Sequence, residues 1–384
     1  MKTKNLKTTA KKGYLIKLLS GSLTFIMISI LLSFTSCQKD DIDDAKESII
    51  PARFKVDIPT AISSQHGSLK ATGASQVDTL KGDGIYENLT TFIKVGEDAA
   101  ELTQDIFLWI ALYNLNRPME ISFISDEDGR AKHISIIENV MFEGTNWQYN
   151  LTLTDVEEGE GANAEIGLQI FWNLNPIHGI SILNFYNLNR NTEEIYKDTH
   201  YRVEYSEVGS VNYDKHMIVS LTDFPIPQEH YIFGISSLKM FVGKKGDIVS
   251  IYGNSLHPNA QFFTEQTGFN WAFVAAASES LNIAVAEVGL PPMTLDASDR
   301  HTLLEEYSIE NVFRNQVLLT WPTIDPEVLD AFLYHAKAPG YFNNDGFVQG
   351  GTAPSGSYSP LEEIILELTP YNPAHILDLS VQFN

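Results

Sequence analysis

The chain has 384 residues, with 26 Lys and Arg against 49 Asp and Glu, a formal charge of −23 at neutral pH. This acidic excess argues against nucleic acid as a partner, because phosphate binding is driven by clustered Lys and Arg. Aromatic residues make up 11% of the chain, ample for a packed core, and the length allows one large domain or two modest ones.

The chain opens on Lys2, Lys4, Lys7, Lys11, Lys12 and Lys17, with no acid before Cys37. A largely apolar run over 18–32 follows. It is shorter than the roughly 20 residues a spanning helix needs. A basic start, a short apolar run and small residues before a cleavage point predict a secretory signal over 1–36. Phe34-Thr35-Ser36-Cys37 resembles a bacterial lipobox, in the looser form used by Bacteroidota lipoproteins. The resemblance implies that the signal is cut before Cys37 and that Cys37 is acylated. Several acyl chains, at roughly 0.8 kcal/mol per buried methylene, hold a bilayer firmly where one chain holds it only marginally. Lys39-Asp40-Asp41 resembles the export signal that sends such lipoproteins to the outer face of the outer membrane. A solvated acidic spacer is the alternative reading of those three residues.

Loss of the signal removes six lysines and takes the charge from −23 to −29. The lipid, not a basic patch, must then supply membrane attachment. Cys37 is the only cysteine, so the mature chain has no disulfide, thiolate metal site or Cys nucleophile.

Residues 37–84 are rich in Asp, Ser, Thr, Gly and Lys and read as a flexible tether. Within it, Ile49 to Ile58 can add a short strand. Asp78-Thr79-Leu80 resembles a Bacteroidota O-glycosylation motif with Thr79 as acceptor. Residues 85–384 read as one domain, strand-rich over 119–252 and helix- and loop-rich over 260–370.

A first helix is predicted from Glu97 to Tyr113, where Leu102, Ile106, Trp109, Ile110 and Tyr113 share a face. Arg117-Pro118 ends it. The period then changes to two, as in Trp147, Tyr149, Leu151 and Leu153, or Tyr201, Val203 and Tyr205. About nine antiparallel strands fit between 119 and 252, joined by turns such as Asp126-Glu127-Asp128-Gly129. A second helix is predicted over Phe269 to Val288 and stopped by Gly289. A third starts at Asp325 as N-cap with Pro326 at its first position and runs to Lys337. Ser359-Pro360-Leu361-Glu362 has capping-box spacing for a fourth. A closing strand carries Leu377, Leu379, Val381 and Phe383. The segment Tyr113-Asn114-Leu115-Asn116-Arg117 recurs at 186–190, with a near copy at 172–176. These read as turns that end elements, with a duplicated ligand-binding corner as the alternative.

The fold class that follows is α+β: a long curved antiparallel sheet, a half-barrel-like meander, packed against several helices. The alternative is a two-sheet β-sandwich with appended helices. The element order resembles the curved half-barrel of lipoprotein-carrier-type folds, in which a sheet wraps helices around an apolar cavity.

The chemistry is less legible. Ten histidines are scattered without metal-binding spacing, and no nucleophile elbow or phosphate loop is present. No catalytic residue, metal or cofactor is nominated. Asp155-Val156-Glu157-Glu158-Gly159-Glu160 reads as a solvated hairpin loop, with weak calcium binding as the alternative. The segment 338–360 reads as a long Gly/Pro/Ser loop, a class that is often functional. Its Tyr341, Phe342, Phe347 and Tyr358 are the candidate ligand-contact residues, unless they pin the loop to the core. Whether the chain is an enzyme stays open. The leading reading is a lipid-anchored, outward-facing, non-catalytic module that binds a hydrophobic ligand, glycan or envelope protein. The second is an extracellular glycan hydrolase with dispersed carboxylates.

Overall fold

The structure is a computed structural model that describes residues 49–64, 82–112, 117–156, 165–209, 212–225, 234–261 and 267–384. Cys37, Lys39, Asp40, Asp41 and Thr79 lie outside the described residues, as does Tyr113–Asn116.

The elements follow a simple order. Helix α1 (Gly82–Leu112) comes first. It is followed by β1 (Met119–Ile124), β2 (Ala131–Phe142), β3 (Thr145–Asp155), β4 (Glu165–Leu174) and β5 (Ile177–Leu183). A short α2 (Phe185–Leu188) precedes β6 (His200–Ser206), β7 (Lys215–Thr222), β8 (Ser237–Lys245) and β9 (Ile248–Gln261). Then come β10 (Thr267–Ser278), β11 (Ile283–Gly289), α3 (Ile309–Thr320), α4 (Pro326–Phe332), β12 (Gly340–Asn343), β13 (Gly346–Gly350), α5 (Ser359–Leu366) and α6 (Pro373–Leu377). The thirteen strands form one antiparallel sheet in sequence order, curved but not closed into a barrel. The α+β class with a curved sheet therefore holds, and among the described residues there is no second sheet to make a sandwich. The nine strands expected between 119 and 252 are β1 to β9.

The concave face holds the main core. Helix α1 crosses the strands rather than running along them. Tyr86, near its start, stacks on Phe347 of β13 at 5.0 Å. Phe92 meets Trp271 of β10 at 5.1 Å, and Thr103 Oγ1 donates to Ser181 Oγ of β5 at 3.2 Å. Phe107, near its end, packs edge-on against Trp172 of β4 at 5.2 Å. Gly96 permits this close crossing: a Cβ there would stand 2.5 Å from the Met240 Cε of β8.

Residues 49–63 form a strap beside α1, not a tether. Phe54, Val56, Ala61 and Ile62 are fully buried. Trp172 Nε1 donates to the Ile49 carbonyl at 2.7 Å, and the Phe54 ring lies over Gly179 of β5. Asn282 Oδ1, in the β10–β11 turn, accepts from the Ala61 N–H at 3.0 Å. The strap thus crosses from β4 to β11 along the end of the sheet where the turns are tight. The tether reading failed here because Ile49, Ile50, Phe54, Val56, Ile58 and Ile62 are dispersed among Pro, Ser and charged residues, without the period of a helix or strand. No strand forms in the strap: backbone and ring contacts hold it instead.

Three further elements differ from expectation. Residues 269–288 form the β10–β11 hairpin, not a helix, with Ala272 opposite Gly289 and Ser278 opposite Ile283. Both faces of β10 are covered: Trp271, Phe273 and Ala275 join the concave core, while Ala272, Val274 and Ala276 join a convex cluster. A strand buried on both faces has no polar alternation to betray it. Helix α5 forms where expected, but Ser359 lies inside it and makes no cap. The closing strand does not form. Strands β4 and β5 are interior, so no free edge is offered to it. Val381 and Phe383 instead lie over Phe142, Trp147, Phe171, Ile180 and Ile182 on the convex face.

The turns expected at 126–129, 172–176 and 186–190 hold. Residues 125–130 join β1 to β2, with Gly129 at φ +68°, and Asn344-Asp345 joins β12 to β13. The near copy at 172–176 ends β4, and the copy at 186–190 ends α2 with Asn189 as its C-cap.

Candidate functional site

The helical hairpin α3–α4 stands out, because both of its sides are apolar. Ser308 starts α3 by accepting from the Asn311 N–H, and Asp325 starts α4 by accepting from the Glu327 N–H at 2.8 Å. The latter is the N-cap expected from sequence; α4 ends at Phe332, and a short 3-10 turn over Tyr334–Ala336 replaces the rest of the predicted helix. Arg314 Nη2 ties the two helices together, donating to Glu310 at 2.8 Å and to Asp330 at 2.9 Å. The inner side, Ile309, Phe313, Val317, Leu329, Leu333 and Ala336, belongs to the concave core.

On the other side, large apolar residues reach solvent. Leu318, Leu319, Trp321, Val328, Phe332 and Tyr334 are all exposed, Leu319 by 72% and Val328 by 59%. Single exposed apolar residues are ordinary, whereas six between 318 and 334 make this hairpin the part of the described structure that exposes the most apolar side chains. The sequence reading missed α3 altogether. The signal was available: Ile309, Phe313 and Val317 already supply a buried stripe, so Leu318 and Leu319 are surplus to it.

The charges along this stretch of sequence are nearly all negative. From 305 to 330 the chain carries six acids, Glu305, Glu306, Glu310, Asp325, Glu327 and Asp330, against one base, Arg314, for a net of −5. Arg314 is held by Glu310 and Asp330, and Glu305 and Glu306 pair with Arg300 and His301.

The residues nominated in 338–360 are placed differently. The segment is not a loop: Tyr341 and Phe342 lie on β12 and Phe347 on β13. Tyr341, Phe342 and Tyr358 are buried. Tyr341 Oη donates to Glu362 Oε1 at 2.5 Å, and Tyr358 Oη donates to the Phe342 carbonyl at 3.1 Å. These rings pin the hairpin to the body of the protein, and Phe342 and Phe347 pack under Tyr86.

Polar groups cluster at two further places. At the first, Asp155 is fully buried and does not belong to a solvated loop. It accepts from Arg130 Nε at 2.7 Å, Lys132 Nζ at 3.2 Å and Arg190 Nε at 3.2 Å. Lys132 also reaches Asp128 at 3.0 Å, and Arg190 pairs with Glu165. Three cations thus meet three carboxylates. Burial raises the Asp128 carboxyl, but hydrogen bonds from the Arg190 N–H and Lys132 outweigh it and leave the group below its ordinary range. The balance and burial are those of a structural tie between the β1–β2 turn, β3 and the segment after α2.

At the second, Ser255 Oγ and His257 Nε2 are 2.7 Å apart on the concave face. The spacing is that of a nucleophile and base, but both side chains are fully buried, and the imidazole stacks on Trp271 at 4.3 Å and meets Phe92 at 4.8 Å. The bond pairs the Ser255 hydroxyl with one nitrogen of the imidazole inside an apolar core. Among the described residues no group of three or more His, Cys, Asp or Glu is placed to hold a metal ion.

Compared with family models, with curated proteins and with solved structures, the chain matches none.

Proposed function

We propose that this chain is a lipoprotein of the outer membrane, anchored through acylated Cys37, facing the cell exterior, and working as a non-catalytic module that binds a partner protein. The exposed apolar side of α3–α4 carries this reading. A carrier-type half-barrel keeps its concave face for a ligand. Here α1, the strap and the inner side of α3–α4 pack on that face, which favours a partner on the outside over a hydrophobic ligand within. Among the described residues no helix is long and apolar enough to cross a membrane, and a lipid anchor is compatible with that.

Anchoring and display are tested on cells of the native host. Wild-type protein is expected to take up labelled palmitate, and Cys37→Ser to lose the label and remain uncut or become soluble. Protease added to intact cells is expected to digest the domain, and alanines at Lys39, Asp40 and Asp41 to protect it. Palmitate on the Cys37→Ser variant would overturn the anchor, and full protection of the wild type would place the domain in the periplasm.

A further inference from the structure

The sheet has two edges, and the chain treats them differently. Strand β13 is short, Gly346–Gly350, and its pairing with β12 is interrupted by a register shift at Tyr341 and Phe342. Short strands and bulges blunt an edge against further pairing. Strand β1 has no such device. It pairs with β2 without a break, from Met119 opposite Ile136 to Ile124 opposite Ala131, and it holds no Lys or Pro between 119 and 124. Among the described residues no backbone group bonds to its outer side. The Ser125 N–H donates to the Arg130 carbonyl at 2.8 Å, and bonded and unbonded positions alternate from there. Phe123, Ile121 and Met119 therefore bond to β2, and the backbone of Ile124, Ser122 and Glu120 points outward. The side chains show the same break. Met119, Ile121 and Phe123 are half-buried on the concave side, whereas Ile134 and Ile136, their neighbours on β2, are 1% exposed. One more strand would complete the burial there.

We infer that β1 pairs antiparallel with β1 of a second copy, about a two-fold axis through Ser122 and normal to the sheet. The inference depends neither on the anchor nor on the α3–α4 hairpin. β1 itself supplies the strand this edge lacks, with apolar residues at every second position. An axis normal to the sheet sets concave side beside concave side, and the outward backbone groups leave few registers. Centred on Glu120, the axis would set that carboxylate against its own copy, and like charges directly opposite are destabilising. Centred on Ile121, it would place Pro118, which has no N–H, in a bonded position. Centred on Phe123, it would set Glu120 against Asp126. Centred on Ser122, it pairs Glu120 with Ile124 of the second copy and Ser122 with Ser122, and each bonded pair exchanges two hydrogen bonds. On the concave side it sets Ile121 against Phe123, so the two cores join. The same register carries Arg117 of each copy to the β1–β2 turn of the other, opposite Glu127. Arg117 is exposed and forms no ion pair with a described residue. The Glu127 carboxyl is raised by burial and by its neighbours Asp128 and Asp126, and a cation there relieves that repulsion.

The test uses the full chain in native cells, treated with the thiol oxidant diamide and run on a non-reducing gel. With Ser122→Cys the two sulfurs face each other across the axis, in a bonded pair whose Cα atoms stand about 5.5 Å apart, within disulfide reach. With Glu120→Cys they lie four residues apart along the strands, about 14 Å, and cannot bridge. Both positions are exposed, so chance collisions would link them alike. The unaltered chain, whose only cysteine is Cys37, sets the background. The expected result is a species of twice the chain's mass from position 122, about tenfold or more above the yield from position 120. Arg117→Glu added to Ser122→Cys should lower that yield about threefold, as two exposed ion pairs are lost, and Glu127→Arg added to both should restore it. Equal yields at 120 and 122, no product above background, a product of another mass, or a charge swap that fails to restore the yield would each overturn the inference.

Discussion

The strap and the α3–α4 hairpin both pack on the concave face, yet they treat their apolar residues in opposite ways. In the strap, Ile49, Ile50, Phe54, Val56, Ile58 and Ile62 are all buried, and its exposed positions, such as Ala52, Arg53 and Thr60, are small or polar. In the hairpin the buried stripe is complete, and a second apolar set remains outside. A segment that hides every large apolar side chain is explained by folding alone. A segment that keeps a surplus in water is not, because exposed Leu, Trp and Phe add to the hazard of aggregation without adding to the core.

The strongest test of that contrast removes the strap. A chain beginning at Gly82 is expected to lose its cooperative thermal transition and to aggregate on gel filtration, because the concave core is left open along one side. A melt like that of the full chain would restore the tether reading. Next in size is Phe54→Ala. The ring is fully buried between Phe107 at 5.1 Å and Tyr205 at 5.5 Å, so urea unfolding should show a loss of about 3–5 kcal/mol. On the inner side of the hairpin, Leu329→Ala should cost about 2–4 kcal/mol by the same measurement; a loss near zero would mean that α4 is not part of the core.

A smaller effect concerns Glu97, which accepts from the Ile58 N–H at 3.3 Å where strap and α1 meet. Burial raises its carboxyl above the ordinary value, with Lys94 and that N–H acting against the shift. A carboxyl raised in the folded state holds more protons there than in the unfolded chain. Stability contributed at this site therefore falls as pH rises from the ordinary carboxylate range through the raised value. Glu97→Gln should flatten the fall in denaturant midpoint over that window, and an unaltered slope would remove Glu97 from the account of strap docking. Smallest of all, Leu319→Ser with Phe332→Ser should shift stability by no more than about 0.5 kcal/mol, because both side chains already lie in water. A loss of several kcal/mol would show that the outer side is core after all.

The period of two was read correctly from 119 to 252, but not at 377–383, where alternation is present and no strand forms. Strands such as β1 and β6 alternate between buried and more exposed positions, and the turns at Gly129 and Asn344-Asp345-Gly346 are built from residues that suit turns. Asp325 followed by Pro326 announced the start of α4. Where apolar residues face both ways, the period disappears, and β10–β11 was taken for a helix. The candidate surface was hidden for a related reason. Leu318, Leu319 and Trp321 look like core in one dimension, and Tyr341 and Phe342 look like a loop; burial, which distinguishes them, is not a property of local sequence.

The sequence by itself determined the antiparallel meander, because a period of two with short turns leaves few other arrangements. It also determined the acidic charge and the position of the single cysteine with its flanking motifs, since those are matters of composition and order. The tertiary structure decided the rest. Residues 49–63 become core only because a curved sheet and a crossing helix leave a channel for them. Tyr86 and Phe107, near the two ends of α1, meet β13 and β4 only because α1 runs across the strands. Both are long-range packing outcomes, set by contacts between residues far apart in sequence, such as Trp172 with Ile49, which no local pattern encodes.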